Sequence, residues 1–388
     1  MDFELSEEQR MLKKMVKDFA EKEIAPIAAE IDKSGEFPWE CVSKLGELGL
    51  FGLVLPSTFG GTGPDKFGFL LALEEISKAS ASVALALLCS SGASRQILAR
   101  GTEEQKAKYL PVMARGERLG ACAVTEPSGG ANWPYTIQTT ARLEEGYYVL
   151  NGTKCFTSNG GEAEIYVVLA RTDPAKGALG ISGLIVEKDT SGFSFGKKEE
   201  KLGLRGDVSR GLFFEDCWVP KANFLCAGIL PSVSTEVATL IMPALGAIAV
   251  GLAQAALEAA TKYVRERPVA FGQMLANFDG VQAVIADMAI KVATSRLLVL
   301  QAGVMSETTA EKTAGVMAGV FACGAALEVT NQALQLFGAY GYTTDFPLER
   351  YFRDARGLMI VGWPMEVRKL VVGRLELDLP ILAPLSAV

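Results

Sequence analysis

The sequence predicts an α+β fold in three successive parts: an N-terminal helical domain over 1–118, a middle antiparallel β barrel or sandwich domain over 119–226, and a C-terminal four-helix-bundle domain over 227–388. Three observations carry this reading. Apolar residues recur at helical spacing at both ends of the chain; strand-like runs broken by turn dipeptides are confined to the middle; and no helix-length segment separates those runs. A chain of 388 residues with 49% hydrophobic and 21% charged residues supports a large buried core and is not a disordered composition.

In the first part, Ser6-Glu7-Glu8-Gln9 and Thr102-Glu103-Glu104-Gln105 are capping boxes, each opening an amphipathic run. Helical periodicity covers 9–31, 39–48, 67–77 and 82–99, and PSTFGGTG at 56–63 is a loop. In the middle part, ACAVT, TIQTTARL, YYVLNGTKCFT, IYVVLART, ISGLIVEK and LFFEDCWV read as strands, with Glu145-Gly146, Asn151-Gly152 and Asn159-Gly160 as turns. The helical period then returns over 236–265, 279–306, 309–338 and 364–375, lengths that suit an up-down bundle. The uncharged stretch 237–257 is long enough to span a bilayer. Pro243, Gln254, abundant Ala and Gly and the lack of aromatic or basic flanks favour a helix buried on all sides, so no membrane span is expected.

Composition excludes several chemistries. A net charge of -7 with no Lys/Arg run argues against nucleic acid as a partner. The absence of histidine removes Ser-His-Asp and Cys-His arrangements and His-based metal sites, and no metal-ligand cluster is visible. Seven scattered cysteines without a C-x-x-C pair read as free thiols in a reducing compartment. With a charged N-terminus and no apolar signal region, the chain is expected to be cytoplasmic.

Three segments carry candidate binding chemistry. Thr125-Glu126-Pro127-Ser128-Gly129-Gly130 offers backbone N–H groups to a phosphate or is simply a turn. Phe156-Thr157-Ser158-Asn159-Gly160 ends a strand with an aromatic ring and a hydroxyl suited to a flat ligand, or is a strand end. The run from Gln335 to Tyr342, QLFGAYGY, lets a ligand approach the backbone at its glycines, or is a helix C-cap.

Together, in this order, these segments resemble the acyl-CoA dehydrogenase family of FAD flavoproteins over essentially the whole chain. LSEEQRMLKKMVKDFAEKEIAP, LGLFGLVLPSTFGGTG and GTEEQKAKYLP are similar to its N-terminal domain. AVTEPSGGAN, NGTKCFTSNG and KLGLRG with FEDCWVP are similar to its β domain. GLAQAALEAATKYVRERPVAFGQ, QLFGAYGY and RYFRDARGLMIV are similar to its C-terminal bundle. The resemblance implies that Val124, Thr125, Gly130, Ala131, Phe156 and Thr157 line the flavin. It implies that Arg267, Phe271, Gln335 and Gly338 serve the FAD of a neighbouring subunit in a homotetramer. Ala131 stands where the family has serine, and one extra residue separates Arg267 from Phe271. An acyl-CoA or acyl-carrier thioester as substrate, contacted by Ala131, Gly362 and Trp363, and an electron-transfer flavoprotein as redox partner follow from the same resemblance.

The catalytic residue is where the sequence departs. Family members carry a glutamate that removes the α-proton, in the sequence Ile-x-Glu-Gly-Thr. Here Gly362 occupies that position, with Trp363 and Pro364 behind it. The alternative family position, early in the first bundle helix, is Ile241. Glu366, one turn beyond Gly362, is a weak substitute base, and the 82–99 helix offers Cys89, Ser90 and Ser91 but no carboxylate. The Gly362 N–H still supplies the family's donor to the thioester carbonyl. The expectation is α,β-dehydrogenation with a non-standard base. The alternatives are a redox-neutral elimination such as desulfination, a flavin monooxygenase reaction, or a non-catalytic flavoprotein subunit.

Overall fold

The structure is a computed structural model that describes residues 5–130, 132–269, 272–305 and 309–381, Trp133 by its backbone alone. Ala131 and Phe271 lie outside the described residues. Six helices build the first part: α1 (Glu7–Phe19), α2 (Ala28–Ser34), α3 (Trp39–Glu47), α4 (Lys66–Ala79), α5 (Ala81–Arg100) and α6 (Glu103–Ala114). Both capping boxes form: Ser6 Oγ and Thr102 Oγ1 accept the N–H of Gln9 and Gln105, whose side chains return to the cap residues. Helix α5 is buried along almost its whole length, because Ala, Ser and Gly let neighbouring elements approach from every side.

The middle part holds β1 (Gly120–Ala123), a short helix α7 (Trp133–Thr136), and β2 (Thr140–Glu144), β3 (Tyr147–Ser158), β4 (Ile165–Arg171), β5 (Ile181–Glu187), β6 (Phe193–Lys198), β7 (Ser209–Pro220) and β8 (Phe224–Cys226). The strands pair in the order β6-β7-β3-β2-β4-β5-β8, with β1 alongside β4. The pairing is mixed: β1 runs parallel to β4, while the hairpins are antiparallel. Glu145 (φ 48°) and Gly146 (φ 86°) make the tight turn between β2 and β3 that their sequence predicts. Asn151-Gly152 does not turn. It lies inside β3 at a register shift, where the Asn151 side chain pairs with Asp216 and Gly152 abuts Thr139.

The last part contains α8 (Leu230–Glu236), α9 (Met242–Glu266), α10 (Asp279–Val304), α11 (Thr309–Phe337), α12 (Leu348–Leu358) and α13 (Met365–Glu376). A π turn over Val237–Ile241 joins α8 to α9, immediately before Pro243, which has no N–H to continue a regular ladder. The uncharged stretch beginning at Val237 therefore starts within a longer rod. Among the described residues, three helical stretches have the length and composition to cross a membrane; in this one, 83% of the most apolar window is buried inside the protein. Sequence periodicity gave no helix over 348–358, yet α12 forms there behind Pro347 and packs against α9 and α11.

One side chain ties the three parts together. Arg353 on α12 bonds Asp32 of α2 at 2.6 Å, the Leu202 carbonyl of the β part at 2.9 Å and Glu349 at 2.7 Å. Burial pulls its pKa down, but these partners outweigh burial and hold it above the ordinary arginine value. Next to it, the buried carboxylate of Asp354 accepts the Leu204 N–H at 2.6 Å, docking the KLGLRG loop on α12.

Candidate active site

The segments expected to face the flavin meet at the ends of β1 and β3. Val124 and Thr125 are partly exposed, and the Thr125 carbonyl accepts the Cys155 N–H at 2.9 Å. Beneath them, Lys154 is fully buried and donates to Glu126 Oε1 at 2.8 Å and to the Val124 carbonyl at 3.0 Å. Burial drives the Lys154 pKa down to about 8 against the pull of Glu126. Glu126 also accepts the N–H groups of Gln138 and Thr139, so the TEPSGG loop hangs from a fixed carboxylate. Nothing in the sequence marks this pair; Lys154 reads as an ordinary polar strand residue.

Phe156 is 66% exposed and sits at φ 53°, an unusual backbone for an aromatic residue. The next residue, Thr157, is buried, and its hydroxyl has no partner among the described residues. Partly exposed Ser158 stands on the opposite side of the strand from Thr157, donating to Asp207 Oδ2 at 2.9 Å. The aromatic ring and hydroxyl that sequence reasoning sought are thus presented by Phe156 and Ser158, while the Thr157 side chain faces inward. Strand alternation holds the missed signal, which the bulge between Lys154 and Thr157 obscures.

Helix α5 approaches the same place. Burial first, then the charge of Asp207, pushes the Cys89 thiol well above the usual range against the opposing pull of nearby Ser158, so it stays protonated near neutral pH. Ser90 Oγ accepts the Gly120 N–H at 2.9 Å and is a link to β1, and Ser91 is buried. Asn159 is buried at φ 57° and donates to the carbonyls of Ala86 and Gly120, fixing β3 against α5 and β1.

The two candidate base positions converge. Gly362 has φ 75°, and a methyl group placed on it would lie 3.1 Å from Met242 Cε, 3.6 Å from Leu245 Cδ1 and 3.8 Å from Ile241 Cγ2. A methyl on Gly92 of α5 would lie 3.3 Å from Ile241 Cδ1. The three atoms nearest the side-chain position of Gly362 are thus all apolar, and neither candidate base position carries an acid. The Gly362 N–H has no backbone acceptor among the described residues. Trp363 is buried, and Glu366 is exposed at the start of α13 without an ion pair among the described residues. The buried acid that precedes the π turn, Glu236, is held by Arg95 at 2.9 Å.

A second patch gathers the residues expected to serve a neighbour. Arg267, at the end of α9, lies with its guanidinium 5.6 Å from the centre of the Tyr340 ring. Gln335 and Gly338 are exposed beside it, and Gly338 (φ 59°) has open space where a Cβ would stand. The open space at Gly130, the presented Phe156 ring and this cationic, glycine-bearing patch fit the ring and phosphate halves of a flavin dinucleotide.

Comparison with known proteins agrees with this geometry. Models of the acyl-CoA dehydrogenase N-terminal, middle and C-terminal domains match residues 6–117, 121–217 and 242–376. The chain is 43% identical to an acryloyl-CoA reductase (NADH) of Anaerotignum propionicum, covering 96% of this chain and 95% of that one. It superposes with a TM-score of 0.94 and 41% identity on a chain solved in work on the electron-transferring flavoprotein of Acidaminococcus fermentans and electron bifurcation, covering 97% and 100%. Butyryl-CoA dehydrogenase of Megasphaera elsdenii gives 0.93 and 35%, with the same coverage. With three domain models matched in order and relatives aligned end to end, the chain belongs to the acyl-CoA dehydrogenase family of oxidoreductases acting on CH–CH groups.

Proposed function

We propose that this protein is an FAD-dependent enzyme acting at the α,β-carbons of an acyl thioester, by dehydrogenation with the proton handled by a group other than a carboxylate at position 362 or 241. The observation that carries it is the Gly362 turn: an N–H without a backbone acceptor among the described residues, beside the apolar side chains where the two candidate base positions meet. When bound, FAD supplies the two-electron acceptor for the β-hydrogen. Phe156, Ser158, Val124 and Thr125 hold its ring, and the Gly362 N–H binds the thioester oxygen and favours negative charge there. An electron-transfer flavoprotein as redox partner belongs to the same reading, supported by the similarity to the Acidaminococcus chain.

The FAD site is completed by a second subunit in a homotetramer. Supporting this, Ile290, Leu297 and Val304 form an exposed stripe at seven-residue spacing on α10, with Met317 and Phe321 exposed on α11. Sedimentation of the yellow protein tests it: a monomer with full flavin occupancy would defeat the shared site.

The acid-free floor also favours a second reading, redox-neutral desulfination of a 3-sulfinoacyl thioester: the C–S bond breaks with its electron pair left on the β-carbon, which takes a proton, and SO2 departs and is hydrated to sulfite, so no α-proton is removed. Anaerobic mixing with saturated acyl-CoAs and, separately, with a 3-sulfinoacyl-CoA distinguishes them. Flavin bleaching supports dehydrogenation; sulfite release without net flavin reduction supports elimination.

A further inference from the structure

Arg368 on α13 is the largest fully buried side chain, at 0% exposure, and it forms no ion pair among the described residues. Its guanidinium donates instead to backbone carbonyls around one turn: Nε to Trp363 at 2.6 Å, Nη2 to Leu358 at 2.7 Å and to Val361 at 2.8 Å, with a longer contact from Nη1 to Gly319 at 3.4 Å. Arginine carries its charge throughout the working pH range, and a buried charge without a carboxylate is costly unless oriented dipoles meet it. The carbonyls at the end of α12 are such dipoles.

The Val361 carbonyl has a particular significance, because it belongs to the peptide whose N–H is that of Gly362. In a trans peptide the two groups point in opposite directions, so the guanidinium sits behind the N–H. A charge-assisted hydrogen bond to the carbonyl end polarises the whole peptide and makes its N–H a stronger donor. Bonds on both sides of Gly362, at Val361 and Trp363, also hold the φ 75° turn in place.

We propose that Arg368 is a positioning residue for the carbonyl-binding N–H of Gly362, fixing the turn and strengthening the donor through the Val361–Gly362 peptide. The inference rests on the reading of Gly362 given above. It adds a residue that never touches the thioester and that no sequence motif singled out.

The test is the acidity of a bound probe, acetoacetyl-CoA, whose enolate is titrated by its ultraviolet absorbance on the FAD-loaded protein. Wild type is expected to lower the bound pKa below that of the free thioester. Arg368→Gln is expected to return about one unit, roughly a tenfold loss of enolate stabilisation. Arg368→Lys keeps the charge and is expected to stay within about threefold of wild type. Melting temperature and FAD affinity are measured alongside. A purely structural role would lower both and leave the bound pKa unmoved, which overturns the inference while the Gly362 reading stands. No shift in wild type sinks the Gly362 reading itself. If the glutamine variant does not fold, the lysine variant decides: retention of the shift supports the proposal, and loss of a full unit with the charge conserved overturns it.

Discussion

Ile241 and Gly362 are neighbours across the floor of the site, with Ile241 Cγ2 3.8 Å from where a side chain on Gly362 would begin. Two positions 121 residues apart in sequence, which the family resemblance offers as alternative places for a catalytic glutamate, are therefore one place in space reached from two backbones. Their backbones differ. Ile241 has helical angles (φ -66°, ψ -43°), whereas Gly362 is left-handed at φ 75°.

That difference predicts which position accepts a carboxylate. A side chain at Gly362 costs about 1–3 kcal/mol in backbone strain and must displace Met242. Ile241→Glu needs no backbone change and should raise anaerobic flavin reduction by butyryl-CoA by about 10²-fold or more, the usual worth of a positioned base. Gly362→Glu should gain less and melt lower. A glutamate at 362 that matched or exceeded one at 241 would contradict this account.

Removing Lys154 should be expensive. It leaves Glu126 buried beneath the flavin-facing loop with its cation gone, a change typically worth about 3–5 kcal/mol. Lys154→Met is expected to lower the melting temperature and empty the protein of FAD, and Lys154→Met with Glu126→Gln to recover part of both. Calorimetry of the three proteins checks it; a single variant as stable as wild type refutes the pair's role.

Phe156 supplies exposed ring area at a strained backbone angle, and these two features separate by substitution. Phe156→Ala should weaken FAD binding about tenfold, the scale of one aromatic contact. Phe156→Gly relieves the φ 53° strain while losing the same ring, so it should bind FAD as weakly as alanine yet melt higher. Flavin fluorescence titration and thermal melts give both numbers; tight FAD binding by either variant would remove Phe156 from the site.

Asp354 predicts a pH signature. Burial raises its pKa from 3.8 to about 6, the Leu204 N–H only partly opposing this. Between those values the folded chain binds more protons than the unfolded one, so the residue's contribution to stability falls as pH rises through the window. Asp354→Asn keeps an acceptor for Leu204 and removes that loss. Its melting temperature relative to wild type should climb from pH 4 to pH 6 and then level off; a difference independent of pH would show that Asp354 does not titrate as described.

The sequence by itself determined the helix starts, because a cap and its N3 partner lie three residues apart and need no tertiary help, as at Ser6 and Thr102. It determined the Glu145-Gly146 hairpin for the same local reason, and the order of the flavin-facing segments. Tertiary structure decided the rest. Asn151-Gly152 became a bulge because Asp216 and Thr139 from other segments met it. The side of β3 that faces outward was set by a bulge that shifts the alternation by one residue, bringing forward Ser158 and turning Thr157 inward. The meeting of Ile241 with Gly362, and the burial of Arg368 behind the Val361 carbonyl, depend on how a π turn, α12 and α13 pack. Spacing along the chain encodes contacts only within a turn or a hairpin. The environment that gives a charge or a glycine its chemical role comes from residues that packing alone brings near.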